Sequence, residues 1–70
     1  MSTQEFEEKY YRYKDTLFRI VFTYVKNQSD AQDILQEVFT KLYCNKKTFE
    51  TDEHEKRWLI RISINLSKNH

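Results

Sequence analysis

The sequence predicts an all-α fold, a three-helix antiparallel bundle, and three observations carry that expectation. Neither Gly nor Pro occurs among its 70 residues, so the tight turns on which hairpins and all-β folds rely have no residues to make them. Apolar residues recur every three or four positions in three separate runs, the period of a helix buried along one face. The second and third runs each open on a polar residue able to cap a helix. The lack of glycine also excludes the Gly-rich phosphate cradles of P-loop and dinucleotide sites.

The first helix is expected from about Thr3 to Lys26, with Phe6, Tyr10, Tyr13, Leu17, Val21 and Tyr24 as its apolar stripe. Phe18, Ile20, Phe22 and Val25 widen the stripe, so the second half is expected to be buried on more than one side. Asn27 and Gln28 break the pattern. Ser29 then reads as an N-cap, with Gln32 completing a capping box. The second helix, about residues 30–44, carries Ala31, Ile34, Leu35, Val38, Phe39 and Leu42 at helical spacing. Asn45, Lys46 and Lys47 end it, the lysines suiting a helix C-terminus. A loop anchored by Phe49 follows. Asp52 with Glu55 reads as the next capping box, opening a third helix over about 52–69 that is still running at His70. Residues 1–70 are thus expected to form one domain, cut from a longer protein.

The formal net charge is only +1, but its distribution is uneven. Residues 50–55 hold four acids (Glu50, Asp52, Glu53, Glu55), and residues 56–70 hold four bases (Lys56, Arg57, Arg61, Lys68) with no acid. This is either a field directed along the end of the chain or a helix dressed for its own dipole. A single Cys permits no internal disulfide, which suits a reducing compartment. No apolar run approaches the ~18 residues of a membrane span, and the N-terminus has no signal-peptide pattern. The expectation is a soluble, cytoplasmic domain without a membrane partner.

At 100° per residue, Ala31, Leu35, Val38 and Leu42 share an arc of roughly 60°, while Asp33, Gln36, Glu37 and Thr40 lie opposite. That acidic face is either simply solvated or a dock for a basic partner, with Gln36 supplying donors and an acceptor. On the third helix, Arg57, Arg61, Asn65 and Lys68 fall within about 80°, beside Ile64. Leu59, Ile62 and Leu66 oppose them as the expected core side, and Trp58 and Asn69 lie on the shoulder. Two Arg, a Lys and an Asn in line suit phosphate and base contact. Trp58 could stack on an unpaired base, but reads better as a cap on the core with its indole N–H at the surface. Tyr10, Tyr11 and Tyr13 lie among acids, the wrong field for a polyanion, and are read as packing. Cys44, His54 and His70 lack metal-ligand spacing, and Ser29, Ser63 and Ser67 belong to no nucleophilic constellation. No catalytic residue, metal or cofactor is expected.

Two stretches carry a family resemblance. Ser29 to Tyr43 (SDAQDILQEVFTKLY) resembles the signature DAEDLVQETFLKAY of bacterial sigma factors of the extracytoplasmic-function class. Lys56 to Ser67 (KRWLIRISINLS) resembles the same class's WLYRIARNLA segment, with the Phe49 loop between them at the expected distance. The resemblance implies the promoter-melting domain of such a factor. It implies that Asp33, Gln36 and Glu37, with Thr40 on the same face, dock on the coiled-coil clamp of the largest RNA polymerase subunit. It also implies that the loop from Phe49 through Glu55, including Asp52, captures a flipped base of the single-stranded non-template minus-ten element. Arg57, Trp58, Arg61, Asn65, Lys68 and Asn69 would contact that strand, Asn65 being the best match to the family's Asn. Where the family often has Gly or a small residue in the loop, Thr51 to His54 are acidic and Gly-free. A helix-turn-helix domain for the upstream element is absent from these residues, and an anti-sigma factor is an implied further partner. Two alternatives stay open on the residues themselves. One is a homeodomain-like reader of duplex DNA, which the acidic loop and Ile64 argue against. The other is an interaction bundle that binds no nucleic acid.

Overall fold

The computed structural model describes all 70 residues and contains three helices: α1 (Thr3–Val25), α2 (Gln28–Cys44) and α3 (Asp52–Lys68). α1 starts where the Ser2 hydroxyl accepts a hydrogen bond from the Glu5 amide at 3.1 Å, satisfying one of the orphan donors of the first turn. It ends at Lys26, whose left-handed backbone (φ 54°) donates its N–H to the Phe22 carbonyl. This position is usually glycine; with none in the chain, a lysine carries the Cβ crowding instead.

α2 begins two residues before the expected start. Asn27 is extended and accepts from the Asp30 amide at 3.0 Å, so Asn27, and not Ser29, is the N-cap. Lys26 and Asn27 together form the whole connection between two helices, one residue stopping α1 and the next starting α2. α3 is likewise capped by Thr51, whose hydroxyl accepts from the His54 amide at 3.0 Å, and not by Asp52. Glu55 is therefore free of capping duty. α3 closes at Asn69, whose N–H donates to the Asn65 carbonyl at 3.2 Å, so the helix stops short of His70.

The helices alternate in direction. Phe6 near the start of α1 meets Phe39 and Tyr43 near the end of α2. Lys9 reaches Glu55 at the start of α3, and His70 returns to Asp30 at the start of α2. The antiparallel three-helix expectation is thus met.

The core is built along i, i+4 rows: Tyr13, Leu17 and Val21 from α1; Ile34, Val38 and Leu42 with Ala31 and Phe39 from α2; Leu59 from α3. Such rows interdigitate when helices cross at an angle. On α3 the row is Glu55, Leu59, Ser63, Ser67, all buried, while Ile62 and Leu66, expected at its centre, are half-buried flanks. An i, i+4 row winds about 40° per step, so a core line drawn straight along the helix misses it. The serines fit because their hydroxyls donate back to the carbonyls one turn earlier, Ser63 to Leu59 at 2.8 Å and Ser67 to Ser63 at 2.7 Å.

Two further expectations need correction. Tyr10 and Tyr24 lie in the predicted stripe yet are 39% and 45% exposed, and Tyr11 is 68% exposed. A three-helix bundle covers only the inner side of α1, and Tyr11 points beyond it. Phe18, Ile20 and Val25 are half-buried as expected, whereas Phe22 is exposed, its ring stacked on Phe18 at 5.7 Å.

Candidate functional site

α2 turns its apolar side inward and leaves Asp33, Gln36, Glu37 and Thr40 exposed. Thr40 donates its hydroxyl to the Gln36 carbonyl at 2.7 Å, tidying the helix surface. Neither Asp33 nor Glu37 takes part in any ion pair, so both carboxylates can meet a cation from outside. Beside them lies an apolar groove of about 540 Å³ between α1 and α2, walled by Phe6, Tyr10, Leu35, Phe39 and Tyr43, with Gln36 and Thr40 on its rim. The polar face alone was legible in the sequence; the groove needs the packing of α1 on α2.

On α3, Arg57, Arg61, Asn65 and Lys68 are exposed. Arg57 pairs with Glu53 one turn back at 2.8 Å, both largely in solvent, a contact too screened to hold the guanidinium against a better anion. Arg61 and Lys68 have no acidic partner. Asn69 sits at the helix end as C-cap. Asp52, the first residue of α3, is exposed and pairs loosely with Arg12 at 3.6 Å.

The loop between α2 and α3 folds back through Phe49, whose half-buried ring lies 5.3 Å from Trp58 and 5.4 Å edge-on from His54. Trp58 is half-buried against the core, the packed alternative for this residue. A cavity of about 800 Å³ opens between this loop, the end of α2 and the start of α1.

At the floor of that cavity is a buried network. The Glu55 side chain is 3% exposed. Its carboxylate accepts from the Lys9 ammonium and, at 3.2 Å, from the Tyr13 hydroxyl. Glu5 stands 3.5 Å from the same ammonium. Burial opposes the charge on Lys9, but the hydrogen bond and charge of Glu55, backed by Glu5, outweigh it and raise the pKa above that of an ordinary lysine. Burial also raises the Tyr13 phenol, Arg12 opposing and the Glu55 carboxylate adding to the rise. The sequence places Glu55 in a capping box and, by the family resemblance, at the end of the base-capturing loop; it is instead buried under that loop. Its place four residues before Leu59, on the buried i, i+4 row, is the signal that would have found it.

Acid on one helix face and base on another is the electrostatics of a helical module able to hold two unlike macromolecules. Residues 10–70 match the Sigma-70 region 2 family, and the chain belongs to it. It is 36% identical over 59 residues to the RNA polymerase sigma-H factor of Pseudomonas aeruginosa, covering 84% of this chain and 31% of that protein. It is 34% identical over 55 residues to the ECF RNA polymerase sigma factor SigW of Bacillus subtilis, covering 79% and 29%. With the ECF RNA polymerase sigma-E factor of Escherichia coli it shares 36% identity over 59 residues, covering 84% and 30%. The chain therefore spans about a third of the length of the curated relatives it matches. No solved structure matches it significantly.

Proposed function

We propose that residues 1–70 form the region 2 domain of an extracytoplasmic-function sigma factor, acting in transcription initiation in the cytoplasm and performing no bond chemistry itself. Asp33, Gln36, Glu37 and Thr40 dock on the clamp coiled-coil of the largest RNA polymerase subunit. The loop from Phe49 with Asp52, and Arg57, Trp58, Arg61, Asn65, Lys68 and Asn69, hold the melted non-template strand of the minus-ten element. A helix-turn-helix domain outside these residues would read the upstream element, and an anti-sigma factor would restrain the whole.

The observation that supports this best is a pair of faces with charges left over: the unpaired carboxylates of Asp33 and Glu37 on α2 and the unpaired Arg61 and Lys68 on α3. One binds protein and the other polyanion without competing for the same surface. Acidic Asp52 and Glu53 at the start of α3 disfavour a duplex reader, whose recognition helix meets bases with its N-terminal residues. A flipped base costs a few kcal/mol of unstacking, so capture needs the loop cavity as well as charge.

The test is binding to the isolated clamp coiled-coil, beside a Gln36→Ala, Glu37→Lys double variant. A loss of at least ~2 kcal/mol marks a hot spot and supports the reading. Absence of binding in both proteins withdraws it. Preference for single-stranded over duplex minus-ten DNA separates the strand-capturing role from a homeodomain-like one.

A further inference from the structure

All the side-chain hydrogen bonds that join distant parts of the sequence converge on the first turn of α3. Lys9 and Tyr13 both donate to Glu55, and the Tyr13 hydroxyl also lies 3.5 Å from the Asp52 carbonyl. Every other side-chain hydrogen bond spans four residues or fewer. The loop just before this turn has little of its own to hold it. Its hydrogen bonds are Asn45 to Leu42 and Asn45 to Lys47 at one end and, at the other, the Thr51 cap with the Glu55 amide donating to the Thr51 carbonyl at 3.2 Å. Its far end is placed by the Phe49 ring against His54 and Trp58 and by whatever fixes Thr51 and Asp52, and the buried part of that fixing is Glu55 one turn on.

We propose that Glu55, latched by Lys9 and Tyr13 of α1, is a positioning residue that sets the 45–51 loop and its Phe49 in the arrangement that captures the DNA strand. This rests on the reading of that loop and α3 as the strand-binding face. The latch acts by direction. A carboxylate held by two donors from one side fixes the rotation of the first turn of α3, and with it the angle at which Thr51 hands over to the loop. Hydrophobic contact is non-directional, so Leu59 with the half-buried Trp58, Ile60, Ile62 and Leu66 beside it sets that rotation less sharply than two directed bonds do. Glu55, Lys9, Asp52 and Thr51 also line the loop cavity, so the latch and the space it shapes are contiguous.

The test has a readout independent of DNA. Trp58 is the only tryptophan and lies 5.3 Å from Phe49, so its fluorescence reports where the loop sits. Lys9→Met is expected to shift Trp58 emission to the red and raise its quenching by acrylamide while far-UV circular dichroism stays helical. Affinity for a single-stranded minus-ten oligonucleotide should fall at least about fivefold, the value of one lost base contact. Affinity for the clamp coiled-coil should stay within about twofold, as expected of an independent site. Lys9→Met, Glu55→Leu removes the buried charge together with its partner and keeps the domain folded even if the single variant is not. It should show the same loosened loop and weakened DNA binding, and Lys9→Arg should restore both. Native Trp58 quenching in the folded double variant overturns the proposal, and so does a loss of clamp and DNA affinity in equal proportion. A wild-type chain that binds the clamp but no single-stranded DNA overturns it together with the strand-capturing role, while a changed Trp58 signal would still show that the latch places the loop.

Discussion

Replacing Lys9 by Met leaves the Glu55 carboxylate in place, 3% exposed, with only the Tyr13 hydroxyl as donor. Removing one partner of a buried ion pair costs about 3–5 kcal/mol, because the remaining charge is desolvated and uncompensated. At about 0.05–0.15 kcal/mol per residue, a chain of this length has roughly 4–10 kcal/mol of stability in all. The single variant therefore loses a third of its stability or more. Lys9→Met, Glu55→Leu removes both charges and should be neutral or more stable, since apolar replacements of buried pairs often are. Urea unfolding followed at 222 nm gives the midpoints for both variants. Arg57→Met serves as control, because its pair with Glu53 is about three-quarters exposed on both sides and should leave the midpoint unchanged. A cost below about 1 kcal/mol for Lys9→Met, or a double variant as unstable as the single, would refute the account of Glu55 as a charge kept buried by its partners.

Lys26→Gly should stabilise the domain by about 0.5–1 kcal/mol, since glycine occupies the left-handed region without the Cβ penalty but loses more backbone entropy on folding; a thermal melt should rise by roughly 2–8 °C. Ser63→Ala should cost under about 1 kcal/mol, its hydroxyl serving only its own helix, whereas Ser63→Leu should cost about 1–3 kcal/mol by overfilling a fully buried site. At high pH, stability should fall. The folded state holds the Lys9 proton more tightly than the unfolded chain, so the contribution of Lys9 is complete below its ordinary value of 10.5 and lost as pH rises through the raised one. The raised Tyr13 phenol acts in the same sense from its ordinary 10.0 upward, so Tyr13→Phe should flatten the fall measured by urea midpoints across that range.

Much of this architecture was legible in residue spacing because α1 and α2 obey it well. The runs from Tyr13 to Val21 and from Ala31 to Leu42 are apolar where buried and polar where exposed. The exposed residues of the α2 acidic face and the α3 basic stripe follow from the same arithmetic. Four features escaped it. Helix starts depend on which of several adjacent capping residues wins, and Asn27 and Thr51 prevailed over Ser29 and Asp52 by the backbone each adopts. Ser63 and Ser67 are buried although polar, because an intrahelical bond satisfies each hydroxyl. Glu55 is buried although charged, because Lys9 and Tyr13 satisfy its carboxylate; its spacing from Leu59 points to the buried row, but those partners lie more than forty positions away, where no local pattern names them. The apolar groove was hidden for a related reason: its walls, Phe6 and Tyr10 from α1 with Leu35, Phe39 and Tyr43 from α2, belong to two helices, and spacing along either one says nothing of the gap between them.

The unequal anchoring of α3 has a consequence for how it moves. Its N-terminal turn is tied down by two directional bonds, and Leu59 is its only large apolar side chain that is fully buried. Beyond that point the buried positions are two serines that spend their hydroxyls on their own helix. Local opening costs least where little apolar surface is lost, so amide exchange should quicken from Leu59 towards Lys68. Such a gradient would make α3 a cantilever, clamped at its start and more compliant along the part that carries Arg61, Asn65 and Lys68, where half-buried Ile62 and Leu66 and the surface contact of His70 with Asp30 remain to hold it. A compliant cationic arm can follow the irregular backbone of an unpaired strand while its root stays fixed on the bundle.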